Sequence, residues 1–75
     1  MEFKVYSIPG CPQCKILKMK MDAAKIEYEH EESEEAIAAL NKKGAPVLVH
    51  GDNITVGPAA IKYFNNWLKE HANGN

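Results

Sequence analysis

One segment, residues 9–14, limits the fold of this 75-residue chain more than any other, because it reads Pro-Gly-Cys-Pro-Gln-Cys and holds both of the chain's cysteines. The Pro-Gly pair ends the strand-like run before it. Pro12 suits the first position of a helix, because an N–H at that position would have no hydrogen-bond partner within the helix. The sequence therefore predicts that Cys11 and Cys14 lie at the junction between a strand and a helix.

Short runs with strand or helix periodicity make up the rest of the chain. The predicted strands are residues 3–8, 27–30, 45–50 and 53–56, and the predicted helices begin at Pro12, after Ser33 and at Pro58. Ser33 can accept a hydrogen bond from the backbone of the second helix, and Gly44 is a natural stop after that helix. Gly51 and Asp52 separate the last two strands and favour an antiparallel hairpin.

Apolar stripes at helical spacing predict the faces of the helices that pack on a sheet. The first helix has Cys14, Leu17, Met21 and Ala24, and the last has Ala60, Ile61, Phe64, Trp67 and Leu68. In the second helix, Ile37 and Leu40 are expected to face inward.

The order strand, helix, strand, helix, strand, strand, helix predicts an α/β fold. A right-handed crossover makes the first two strands parallel and the hairpin adds an antiparallel pair, so three helices would flank a four-stranded mixed sheet. We expect one domain over residues 1–75, with residues 72–75 frayed at its end. Ligands gather at the carboxyl ends of strands in such sheets, and Cys11 comes just after the first strand.

Charge and hydropathy exclude several classes of function. The net charge of −1 offers no attraction to nucleic acid or to an anionic membrane, and no run approaches the roughly 20 apolar residues that span a bilayer. The N-terminus has no export pattern, so we expect a cytoplasmic protein with reduced thiols. We also expect a monomer. An acidic cluster predicts a solvated face, with a docking patch for a reductase as the alternative; it comprises Glu29, Glu31, Glu32, Glu34 and Glu35.

Three roles are open to the cysteine pair. As a structural cross-link it would close a loop of about four residues, which is worth only about 2 kcal/mol in the chain-entropy model. As a zinc site it lacks ligands, because structural zinc is almost always four-coordinate and His30, His50 and His71 are each isolated in sequence. A zinc or iron–sulfur site shared by two chains remains an alternative. The third role is a reactive dithiol.

The spacing of the cysteines suits a reactive dithiol. Unpaired N–H groups and the helix dipole at a helix N-terminus favour a thiolate, which is the nucleophile in disulfide exchange. Cys11 lies at that terminus, and Lys15 and Lys18 add positive charge nearby. Cys14 lies one turn further along, on the apolar stripe, and is expected to be more buried. We therefore predict that Cys11 attacks a client disulfide and that Cys14 resolves the mixed disulfide.

Four features together resemble the glutaredoxins, which are small members of the thioredoxin superfamily. They are a strand that contains Val5 and Tyr6, Cys-Pro-x-Cys at the start of a helix, a proline at position 46 that begins a hairpin, and a glycine before the last helix. The resemblance covers residues 3–70 and implies a minimal thioredoxin fold. It also implies that Cys11 is the nucleophile, Cys14 the resolving thiol, and Pro46 a cis-proline that faces them.

The same resemblance implies a client-binding surface and no cofactor. The residues of that surface are Pro12, Gln13, Ala45, Pro46 and Gly57. Pro46 lacks an N–H, so the backbone of Ala45 would be free to pair with an extended client segment. Clients would then be recognised largely through their main chain, and recognition would be broad.

Departures from the glutaredoxin pattern bear on the reductant. Glutathione-using members carry a lysine three positions before the first cysteine and two carboxylates before the last helix. This chain has Ile8 at the first place and Val-Gly-Pro-Ala-Ala at residues 56–60. Each lost charge-assisted bond removes roughly 1.5–3 kcal/mol of glutathione binding. The run Ala-Pro-Val at residues 45–47 is closer to redoxins that donate electrons to ribonucleotide reductase and accept them from thioredoxin reductase.

The sequence thus predicts a thiol–disulfide oxidoreductase that reduces protein disulfides, with ribonucleotide reductase as a candidate client. Its expected reductant is a flavoprotein of the thioredoxin reductase type, and it would need neither a metal nor a cofactor of its own. A glutathione-dependent glutaredoxin is the first alternative, and a metal-binding or iron–sulfur module is the second.

Overall fold

A computed structural model describes residues 3–71 of the chain. Its elements are β1 (Phe3–Ser7), α1 (Pro12–Ala23), β2 (Tyr28–Glu32), α2 (Glu34–Ala39), β3 (Val47–His50), β4 (Asn53–Val56) and α3 (Pro58–His71). This order confirms the predicted succession of strands and helices. The predicted fraying of residues 72–75 and the first two residues of the predicted domain lie outside the described residues.

The four strands form one mixed sheet in the order β2-β1-β3-β4. β1 runs parallel to β2 and antiparallel to β3, and β3 pairs with β4 across the predicted turn at Gly51 and Asp52. Ser7 pairs with Glu32, so the two parallel strands end at the same edge of the sheet. The loop that carries the dithiol begins at that edge.

The main core lies between one face of the sheet and the helices α1 and α3. Alternation along β1 sends Phe3, Val5 and Ser7 to this face. The buried cluster consists of Phe3, Val5, Leu17, Met21, Leu48, Ala60 and Phe64. Four other residues that were predicted to face inward pack half-buried against this cluster: Ala24, Ile61, Trp67 and Leu68. The predicted apolar stripes are therefore confirmed. α2 packs against β1 and buries Ile37 outside this cluster.

The predicted bounds of four elements are wrong. β1 ends at Ser7 rather than at residue 8. β2 spans Tyr28–Glu32 rather than residues 27–30, because it pairs along the whole length of β1. α2 stops at Ala39, well before its predicted end, because Asn41 takes a left-handed φ of 60° that a right-handed helix cannot continue. β3 begins at Val47 rather than at residue 45, since Pro46 has no N–H to donate to the sheet.

Local capping explains where helices begin and end. The hydroxyl of Ser33 accepts a hydrogen bond from the N–H of Ala36 at 3.1 Å, which confirms the predicted cap of α2. α1 ends at Ala23, and Lys25 takes a φ of 59° in the turn that leads to β2. None of the helices within residues 3–71 has both the length and the apolar character needed to cross a bilayer.

Candidate active site

Cys11 is the N-cap of α1 and ends the loop that follows β1. Gly10 has a φ of 73°, which residues with a Cβ rarely adopt, and it turns the chain out of the strand. Cys11 is extended, with φ −96° and ψ 109°, and its Sγ accepts a hydrogen bond from the backbone N–H of Cys14 at 3.1 Å. The sulfur thus takes the place of the usual side-chain oxygen at a helix N-terminus, where N–H groups and the helix dipole stabilise negative charge.

The two cysteines differ in exposure. They form a disulfide in this structure, with their Cα atoms 5.3 Å apart. Cys11 is half-buried, whereas Cys14 is 2% exposed and lies on the face of α1 that carries Leu17 and Met21. An incoming group can reach the first residue far more easily than the second. This asymmetry is what an attacking and a resolving thiol require.

The start of α1 meets the loop before β3 and the start of α3. The Ala45–Pro46 peptide is cis, as the resemblance implied, and Pro46 is fully buried. Its carbonyl accepts a hydrogen bond from the N–H of Gly57 at 2.8 Å. Gly57 has a φ of 65°, and a β-carbon built on it would lie 3.7 Å from Oε1 of Gln13. The structure therefore brings together three of the residues predicted to bind clients: Gln13, Pro46 and Gly57.

The other two residues predicted to bind clients flank this group. Pro12 is exposed in the first turn of α1, and Ala45 is half-buried next to Pro46. Contact between a client and any of the five residues stays a prediction.

An open groove of about 410 Å³ runs beside the disulfide. Its lining includes both cysteines, Ile8, Pro9, Lys15, Lys18 and Glu32. Glu32 reaches the groove because β2 ends level with β1, where the N–H of Ser33 donates to the carbonyl of Ser7 at 3.0 Å. The sequence pointed to the two lysines but placed Glu32 in a solvated cluster. The predicted parallel pairing of the first two strands was the signal that could have brought this carboxylate to the site.

A hydrogen bond between neighbouring strands supports the end of β1. Ser7 is 1% exposed, and its Oγ lies 2.6 Å from Nε2 of His30 on β2. A buried hydroxyl without a partner would destabilise the fold. His30 therefore has a structural role at the strand that leads into the dithiol loop.

The described residues offer no ready metal site. Within residues 3–71, no three His, Cys, Asp or Glu side chains are grouped so that they could hold an ion. The three histidines make other contacts: His30 with Ser7, His50 with the hydroxyl of Tyr63 at 2.8 Å, and His71 with the carbonyl of Trp67 at 2.9 Å. Among residues 3–71, the cysteine pair therefore has no third His, Cys, Asp or Glu ligand beside it.

Several solved structures resemble this chain, and they include two redoxin-like proteins. No protein-family model and no curated protein matches it. NrdH-redoxin from Escherichia coli, described as a glutaredoxin-like protein with a thioredoxin-like activity profile, is 25% identical, with a TM-score of 0.70 over 84% of this chain and 93% of that chain. A mutant of the thioredoxin-like protein BC3987 is 20% identical, with a TM-score of 0.74 over 88% of this chain and 97% of that chain.

Proposed function

We propose that this chain, a glutaredoxin-like redoxin of the thioredoxin superfamily with the thioredoxin fold, is a dithiol electron carrier that reduces protein disulfides. The observation that carries the proposal is the hydrogen bond from the N–H of Cys14 to the sulfur of Cys11 at the start of α1. It supports Cys11 as the nucleophile, because the same donors would stabilise its thiolate. The burial of Cys14 supports its role as the resolving thiol.

The proposed reaction is two successive thiol–disulfide exchanges. The Cys11 thiolate attacks one sulfur of the client disulfide, so a bond forms between these two sulfurs, the client S–S bond breaks, and the released client thiolate takes up a proton. Cys14 then gives up its proton and attacks the Cys11 sulfur, which breaks the mixed disulfide and releases the second client thiol. The client gains two electrons and two protons. The protein is left with the Cys11–Cys14 disulfide, the state found in this structure.

We propose that the dithiol of a flavoprotein disulfide reductase, of the thioredoxin reductase type, returns the protein to its reduced state. The thioredoxin-like activity described for the similar NrdH-redoxin supports this reductant. So does the lack of carboxylates at residues 56–60, where the chain reads Val-Gly-Pro-Ala-Ala. Without charged partners there, glutathione would lose bonds worth roughly 1.5–3 kcal/mol each.

The proposed clients are proteins rather than small thiols. The N-terminus of α1, the cis-proline loop and the start of α3 converge at Gln13, Pro46 and Gly57, which supports a surface that can receive an extended segment. Ribonucleotide reductase is a candidate client. We further propose that the protein is a single-domain monomer in the cytoplasm, where thiols are kept reduced.

Electron transfer from NADPH to the disulfides of insulin tests the proposed reductant. The purified protein is offered thioredoxin reductase in one assay, and glutathione with glutathione reductase in the other. We expect NADPH to be consumed in the first assay and only the background rate in the second. Turnover in the second assay alone would replace the proposed reductant by glutathione, and failure in both would overturn the function.

Cysteine variants test the roles of the two sulfurs. We expect Cys11→Ser to reduce turnover to background, and Cys14→Ser to accumulate a mixed disulfide with insulin that mass spectrometry detects. In the reduced wild-type protein, iodoacetamide should label Cys11 before Cys14. Earlier labelling of Cys14 would contradict the assignment. If Cys11→Ser abolished folding rather than turnover, the metal-binding alternative would be favoured.

A further inference from the structure

The outward side of α1 is apolar along its whole length. Its residues are Pro12, Ile16, Met19 and Ala23, all of them exposed. Successive members are four, three and four positions apart, so they share one side of the helix. We call this set the outer face of α1.

This face is not explained by the packing of the protein itself. The opposite side of α1 already supplies the core through Cys14, Leu17 and Met21. Among the described residues, the large hydrophobic side chains left exposed are Ile16 (45%), Met19 (60%) and Ile54 (39%). Single apolar residues on a surface are ordinary. Two of these three, however, lie on one helical face together with exposed Pro12 and Ala23.

The outer face of α1 is continuous with the dithiol. It begins at Pro12, the residue after Cys11, and reaches Ala23, a length of about 16 Å at the rise of an α-helix. A protein that brings a disulfide to the Cys11 sulfur therefore approaches the residue at which this face starts. The rest of the face continues from that residue along α1.

Positive charge flanks the face on both sides. Helical geometry places Lys15 along one side and Lys20 along the other. The ion pairs found within residues 3–71 both involve Lys4, with Glu29 and Glu31, so neither flanking ammonium is paired there. Asp22, near the far end, accepts a hydrogen bond from the hydroxyl of Tyr28 at 3.2 Å. The surface therefore complements apolar side chains with carboxylates beside them.

We propose that the outer face of α1 docks the client protein, and that the client presents an apolar patch with Asp or Glu on either side, close to its disulfide. This inference rests on the proposed function and adds the chemistry of the substrate surface. A second copy of the chain is the competing occupant. The client is favoured because the face starts at the residue next to the proposed nucleophile.

Two matched peptides and one small disulfide test the proposal. The peptides are helical, about twelve residues long to match the face, and carry the same leucine stripe and one cysteine held as a mixed disulfide with 2-mercaptoethanol. Each peptide is made in two versions, one with the cysteine at its N-terminus and one with the cysteine at its C-terminus. They differ in that the stripe is flanked by Glu in one and by Lys in the other. Bis(2-hydroxyethyl) disulfide reports exchange without docking, and each rate is measured in a single turnover of the pre-reduced protein.

We expect the Glu peptide to react about ten-fold faster than the Lys peptide at low ionic strength, a difference of about 1.4 kcal/mol. The preference should shrink near 1 M salt, where the screening length is about 3 Å. In the Lys15→Glu, Lys20→Glu double variant it should reverse, whereas Lys62→Glu on α3 should retain it. An unchanged preference in the double variant would overturn the proposed charge complementarity.

The apolar part of the surface is tested by Ile16→Gln with Met19→Gln. We expect the ratio of the Glu-peptide rate to the small-disulfide rate to fall about ten-fold, or about 1.4 kcal/mol. Ile54→Gln, at the other exposed isoleucine, should keep the wild-type ratio. An equal ratio in all three proteins would overturn the proposal. So would a wild-type dimer in analytical ultracentrifugation that the Ile16→Gln, Met19→Gln variant abolishes, since a second copy would then be the occupant.

Failure of docking and failure of the proposed function give different results. The Cys11→Ser, Cys14→Ser double variant cannot exchange disulfides, so NMR titration with the Glu peptide reports docking alone. Shifts at Ile16 and Met19 without any disulfide reduction by the wild type would reject the function and keep the surface. Reduction of the small disulfide with no such shifts would reject the surface and keep the function.

Discussion

α1 and α3 both begin with a proline and pack on the same face of the sheet, yet they present different surfaces to solvent. α3 buries Ala60 and Phe64 and exposes polar residues such as Lys62 and Asn66 on its other side. α1 buries one apolar stripe and exposes a second. Stability alone explains a helix like α3, because apolar residues contribute most when they are buried. The second stripe of α1 contributes little to folding and is therefore available to another molecule.

The largest effect on stability is expected on the inner side of α3. Phe64→Ala removes a fully buried ring from the core cluster, which should lower the free energy of unfolding by about 3–5 kcal/mol. Lys62→Ala, on the outer side of the same helix, should change it by no more than about 0.5 kcal/mol. Urea unfolding of both variants measures the contrast. Comparable losses would show that α3 does not divide into a core side and a solvent side.

Two methionines on α1 allow the same contrast with one residue type. Met21 is fully buried and Met19 is 60% exposed. Met21→Ala should lower the free energy of unfolding by about 2–5 kcal/mol, whereas Met19→Ala should change it by at most about 0.5 kcal/mol. Urea unfolding under reducing conditions measures the change in the free energy of unfolding for both variants. A substantial loss for Met19→Ala would mean that the outer face packs within the protein and would weaken the docking proposal.

A smaller effect is expected at the residue that precedes α3. Gly57 has a positive φ, so Gly57→Ala should cost about 1–2 kcal/mol of stability. Gly51→Ala is the matched control, because its φ is also positive but a β-carbon there meets no atom within 4 Å. If the start of α3 helps to hold clients beside Gln13, turnover of insulin should fall for Gly57→Ala only. Equal turnover in both variants would remove Gly57 from the proposed client surface.

The mildest effect is a pH dependence at the end of the sheet away from the dithiol. Burial lowers the pKa of His50 from 6.5, and the electrostatic influence of His71 acts in the same direction. The folded protein thus favours neutral His50 more than the unfolded chain does. Its contribution to stability is present above pH 6.5 and is lost as the pH falls through the lower folded-state pKa, with a slope of at most about 1.4 kcal/mol per pH unit.

Urea unfolding between pH 5 and 7 measures this dependence, with His50→Phe as the variant that lacks the titrating group. The replacement ring can keep the stacking on Phe3 but not the hydrogen bond to Tyr63. We expect a shallower pH dependence in the variant than in the wild type. Parallel curves for the two proteins would assign the acid sensitivity to another group.

Much of the fold could be predicted because its signals are local. The dithiol lies where proline and glycine end a strand and proline starts a helix, and the Gly-Asp turn and the Ser33 cap depend on residues a few positions apart. The boundaries that were wrong depend on distant partners or on single backbone angles. β2 takes its length from β1, and α2 ends at the left-handed Asn41, a residue type that fits many conformations.

By itself, then, the sequence determined the order of the elements, the position of both sulfurs at a helix start and the inward stripes of α1 and α3, since near neighbours and periodicity specify these features. Only the tertiary structure decided that Glu32 meets the dithiol groove and that the outer face of α1 stays uncovered. Both features depend on which distant segments of the chain meet or stay apart, and no local pattern or periodicity specifies such contacts.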